Sequence, residues 1–190
     1  MDQAMSEVRK AFELDPLSLH TNFNAGWIYW CANRLDDAMT QARKMIELEP
    51  NFFGAYWLMG ALYWLQGKHE EALEAHQKAL SLNLHQMILG AIGGIYRALG
   101  KRDEAQRVLN QLLEMRKQQS VNALSVVLVY LGLGEIDKVL EWLEIAIEER
   151  NGPLAYIETE IEVGSMGVNF EKASKDPRIM ELLRREGLIS

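Results

Sequence analysis

LHTNFNAGWIYWCANRLDDAMTQARKMIELEPNFFGAYWLMGALYWLQG, residues 19–67, contains one pattern written twice. Gly26, Tyr29, Trp30 and Ala38 are answered 34 positions later by Gly60, Tyr63, Trp64 and Ala72. Tyr96 and Tyr130 continue the tyrosine series, giving spacings of 34, 33 and 34. A fixed period of this length is the mark of stacked supersecondary units.

Within each period the apolar spacing is helical. It predicts helices over 2–14, 19–32, 36–48, 53–66, 69–82, 86–99, 102–117, 120–133 and 136–149. Turns fall at Asn33-Arg34-Leu35, Gly67-Lys68, Gly100-Lys101 and Gly134-Glu135, where glycine can take the left-handed conformation that closes a helix. Asp15-Pro16 and Glu49-Pro50-Asn51 end pairs, because proline disfavours helical geometry in the residue before it. Gly26, Gly60 and Gly93, with Ala38, Ala72 and Ala105, are predicted to let paired helices approach closely. The tyrosines then fill the gaps between pairs. Leucine at Gly60 or Ala72 is expected to overpack the pair, at about 1–3 kcal/mol or more.

These residues resemble the tetratricopeptide repeat, whose unit carries W-x2-L-G-x2-Y followed by alanines, an aromatic and proline. Tyr56, Met59, Gly60, Tyr63, Ala72 and Ala79 carry the likeness in one unit. Ala25, Gly26, Tyr29, Ala38 and Pro50 carry it in the unit before. Gly93, Tyr96, Gly100 and Ala105 follow, then Tyr130, Gly134 and Ala146, where Val127 and Val139 replace the glycine and first alanine. The resemblance implies an all-α, right-handed superhelical solenoid of antiparallel helix pairs, about 4.5 repeats long, stabilised by stacking. The expected array spans 1–151. A half repeat at 2–16, bearing Met5, Val8 and Phe12, precedes repeats at 19–52, 53–85, 86–119 and 120–151.

Beyond Asn151-Gly152-Pro153 a capping segment, 152–190, is expected. Its alternating 157–163 run fits a short strand or an irregular helix. Asp176-Pro177 and the apolar Ile179, Leu182 and Leu183 predict a terminal helix over 177–186 that covers the last repeat. Residues 175–188 resemble the tail of the C-terminal tetratricopeptide region of bacterial multidomain regulators. That likeness implies a place in a larger regulatory protein.

Chemistry finds few candidates. The net charge of −7 argues against non-specific nucleic-acid binding. The uncharged runs 51–66 and 120–134 are shorter than a membrane span and read as buried helices. No secretory leader is visible, so a cytoplasmic location is expected. His20, His69, His76 and His85 lack metal-ligand spacing, and neither G-x-S-x-G nor a P-loop is present. His76 and Cys31 read as packing residues, and Gly90-Ala91-Ile92-Gly93-Gly94 as a close-packing feature. Glu158, Glu160 and Glu162 read as a solvated face. No catalytic residue, metal or cofactor is expected, and the chain is read as a non-enzyme.

The informative surface is the concave one, which the repeat architecture lines with the first helix of each pair. Phe23, Trp27 and Trp30 share a stripe at i, i+4, i+7. With His20, Asn24, Trp57, Trp64, Arg97, Leu124 and Leu128 they are expected to form an apolar, tryptophan-lined groove. It would bind a partner helix or extended peptide. Phe23 and Trp57 stand where chaperone-tail-binding repeats need lysine, and Trp27 and Ala61 where they need asparagine. A carboxylate clamp is therefore not expected. Two other readings stay open: homodimerisation through the N-terminal half repeat, and a sensor in which Arg97 orients an acid group of an apolar ligand.

Overall fold

The structure, a computed structural model, describes residues 6–7, 10–12, 14–118, 121–149 and 175–189. The predicted alternation at 157–163, the glutamates within it, and Met5 and Val8 of the half repeat lie outside the described residues. Among those described, all regular structure is helical. The fold is an all-α helical repeat array. The chain divides into two compact units, 1–83 and 84–190.

In the first unit, helical residues between 6 and 14 precede α1 (Leu19–Cys31), α2 (Leu35–Leu48), α3 (Phe53–Leu65) and α4 (His69–Leu82). Ser18 opens α1 by accepting the Thr21 N–H at 3.2 Å, so one orphan amide of the first turn is satisfied. α1 closes in a left-handed turn at Asn33, φ 56°. The Asn33 N–H donates to Trp30 O at 2.9 Å and the Arg34 N–H to Tyr29 O at 2.8 Å. α3 ends the same way, with Gly67 on Trp64 and Lys68 on Tyr63. This is the Schellman arrangement, which satisfies the last carbonyls and reverses the chain within a few residues. Arg34 and Lys68 then lie 4.7 and 5.8 Å from the rings of Tyr29 and Tyr63, placing a cation beside each repeat tyrosine.

Each pair packs through small residues. Ala38, Ala72 and Ala79 are fully buried. At Gly60 a Cβ would collide with His76 Nδ1 and Cε1, so the imidazole of α4 sits directly on the backbone of α3. His76 occupies the aromatic position of the repeat and is 1% exposed. Burial pushes its pKa down to about 4, because the cation would lose its hydration.

The second unit holds α5 (Gln86–Ala98), α6 (Arg102–Gln118), α7 (Ala123–Leu133), α8 (Ile136–Glu148) and α9 (Pro177–Arg185). The run Gly90–Gly94 lies inside α5 and brings its backbone onto α7. A Cβ at Gly90 would stand 2.6 Å from Ser125 O, and one at Gly132 would stand 3.0 Å from Gly94 Cα. α7 begins at Ala123, later than the predicted 120. Asn122 accepts the Leu124 N–H at 2.9 Å and donates its own N–H to Gln86 Oε1 at 2.7 Å, so it caps the helix instead of joining it. Arg116 donates to Val121 O at 2.7 Å, pairs with Glu149 and lies over Trp142 at 5.0 Å. That side chain ties the end of α6 to the end of α8. α9 is capped by Asp176, buries Ile179, Leu182 and Leu183, and reaches Asp137 on α8 through Arg178 at 2.8 Å.

Candidate functional site: an aromatic face on the first unit

α1 and α3 contribute the rings. Phe23, Trp27 and Trp30 stand one or two turns apart on α1, and Trp57 occupies on α3 the register that Phe23 holds on α1. The indoles of Trp27 and Trp57 stack with centroids 5.3 Å apart and planes 7° from parallel. Phe23 tilts against Trp57 at 5.9 Å. Trp30 lies edge-on to both indoles, 4.4 Å from Trp27 and 6.2 Å from Trp57. Offset stacked and edge-to-face pairs add about 0.5–1.5 kcal/mol each beyond the area they bury. The rings therefore hold one another as a rigid platform.

Exposure separates the ten residues expected to line a groove. His20 and Asn24 are exposed, and Phe23, Trp27, Trp57 and Trp64 are half-buried. Trp64 sits 4.6 Å from the His69 ring, further along the same stripe of α3. Trp30 does not belong to an open groove: it is 0% exposed. It lies underneath Trp27 and Trp57 and supports them, and no partner can reach it.

The second unit departs further from expectation. Leu124 and Leu128 are 5% and 3% exposed, so they do not line an open trough. α7 buries every residue from Ala123 to Leu131 and packs on α5, α6 and α8. A helix that is apolar all round belongs in a core. Arg97 is exposed on α5, in this second unit.

The structure adds residues that helical periodicity missed. Phe52 packs edge-on to Phe23 at 6.2 Å from the turn before α3. It lies outside any helix, so no i, i+4 spacing pointed to it. His20, Asn24 and Trp27 also border a cleft of about 510 Å³ whose opposite wall is Glu7 and Ala11. Among the described residues, no group of three His, Cys, Asp or Glu side chains is placed to hold a metal ion. Nor is any described helix long and apolar enough to cross a membrane.

The tetratricopeptide repeat family model matches residues 53–118. No curated protein matches the sequence. Among solved structures, MamA is 22% identical with a TM-score of 0.53, covering 82% of this chain and 85% of its own. YrrB, described as a tetratricopeptide protein with an unusual peptide-binding site, is 18% identical with a TM-score of 0.54, covering 94% and 90%. The pilF protein of Pseudomonas aeruginosa is 17% identical with a TM-score of 0.58, covering 97% and 83%. At these identities the likeness shows the fold. The matched segment 53–118 resembles tetratricopeptide repeats, and the repeat pattern and helix pairs on either side of it share that fold.

Proposed function

We propose that the chain is a protein–protein interaction module whose partner surface is the aromatic face of the first unit. Phe23, Trp27, Trp57 and Trp64 are its anchors, with His20 and Asn24 at its edge. The observation that carries this reading is the stack of Trp27 on Trp57, held from below by Trp30 and left half-open above. Rigid indoles bind at low entropic cost, and tryptophan is enriched among residues that dominate binding energy. The partner presents an apolar helix or extended segment, since no charged clamp stands among these anchors. YrrB's description as a peptide-binding repeat protein supports the class of ligand. The likeness of 175–188 to bacterial regulator tails supports a role within a larger regulatory protein.

The test compares wild-type and Trp57→Ala chains as baits for proteins of the source cell, with Trp142→Ala as a control in the second unit. A partner held by wild type and by Trp142→Ala, and lost with Trp57→Ala at similar helicity, supports the reading. A partner held equally by all three chains refutes it.

A further inference from the structure

Charge in the first unit is sorted between its helices. Residues 17–33 and 51–67, which hold α1 and α3, contain no Asp, Glu, Lys or Arg. The second helix of each pair carries the ions, among them Asp36, Asp37 and Lys44 on α2 and Glu70, Glu71 and Lys78 on α4. The aromatic face is built from the neutral helices and the turn before α3. A charged side chain laid on it would lose water and gain no counter-ion from the helices beneath.

The rings also limit the shape of an occupant. Phe52, Phe23, Trp57 and Trp27 follow one another at centroid steps of 6.2, 5.9 and 5.3 Å. Phe23 and Trp27 of α1 meet Trp57 of α3, so rings fill the gap between the two helices. A helical partner is about 10–12 Å across and binds by laying its apolar face into a groove. A filled gap offers it none. An added strand fares no better. Backbone N–H and C=O groups along α1 and α3 are paired within each helix, so a strand finds no edge and its N–H groups meet rings.

A polyproline segment meets each condition. Proline has no charge and no backbone N–H to leave unpaired. The polyproline helix advances about 3.1 Å per residue, so residues two apart stand about 6.2 Å apart, close to the step of the rings. Its bare carbonyls need donors, and the exposed amide of Asn24 lies beside Trp27, the two lining one cleft. Resting on the interaction reading above, we propose that the aromatic face binds an uncharged, proline-rich segment of a separate protein, held in the polyproline conformation. This sequence has four prolines, Pro16, Pro50, Pro153 and Pro177, no two of them near each other. Neither its own segments nor a second copy supplies such a run.

The test uses fluorescein-labelled synthetic peptides of four X-Pro-Pro triplets, X being each uncharged amino acid in turn. Fluorescence polarisation against the full chain should show saturable binding for at least one, at least tenfold tighter than for its X-Gly-Gly counterpart. Glutamate or lysine at X should weaken that binding at least tenfold. Trp57→Ala and Phe52→Ala should each do the same, while Trp142→Ala in the second unit should change it less than threefold. Circular dichroism checks folding, and where one ring variant unfolds the other decides. Absence of saturable binding across the whole set overturns the proposal. Tighter binding with lysine at X also overturns it, because the rings would then hold a cation. If every proline peptide fails while a partner from the source cell is still lost with Trp57→Ala, only this proposal falls and the interaction reading stands. If proline peptides bind equally to wild type and both ring variants, the aromatic face is not their site, and the proposal falls.

Discussion

The first helices of two pairs, α1 in one unit and α7 in the other, hold the same place in the repeat and behave oppositely. α1 exposes His20 and Asn24 and half-exposes Phe23 and Trp27. α7 exposes nothing from Ala123 to Leu131. The repeat determines where a helix lies; the side chains it carries and what covers them determine whether it offers a surface. α1 mixes polar residues with large rings, so one flank packs and another stays wet. The α7 sequence ALSVVLVYLGL has no side that prefers water.

The sharpest way to break this contrast lies beneath the platform. Trp30→Ala should cost about 3–5 kcal/mol, as deletion of a sealed aromatic does, and should lower the melting temperature strongly. A variant that melts like wild type would mean that Trp30 does not support the rings above it. Next, Leu128→Ala on α7 should cost about 2–5 kcal/mol in denaturant unfolding. A near-zero value there would return α7 to the class of surface helices.

His76 sharpens the comparison through pH. Its folded pKa, about 4, lies below the ordinary value of 6.5, so the unfolded chain binds the proton more tightly. The resulting stability is fully present above pH 6.5 and is lost as pH falls from there toward 4. Its full size is on the order of 3 kcal/mol. His76→Leu should flatten that part of the stability–pH curve; an unchanged slope would show that other groups carry it. The smallest expected effect is the coupling of Trp27 and Trp57. A double-mutant cycle to alanine should give about 0.5–1.5 kcal/mol. Zero coupling would make them independent surface rings.

Much of this was legible before any coordinates. The tyrosine spacing marked the pairs, and the turn glycines at 67, 100 and 134 all adopt positive φ. Asn33 does the same without being glycine, since its short polar side chain tolerates that conformation. The candidate site was legible in part. Helical spacing placed Phe23, Trp27 and Trp30 on one stripe, but a stripe has depth that spacing cannot resolve. Trp30 lies edge-on beneath its neighbours, and Phe52 joins from a turn.

The chain order alone determined the helical repeat, its turns and the small residues that let helices touch, because period, proline and glycine act over a few residues. Which indoles face water and how thoroughly α7 is enclosed were decided by tertiary packing. Burial depends on what arrives from distant segments, and no local pattern contains that information.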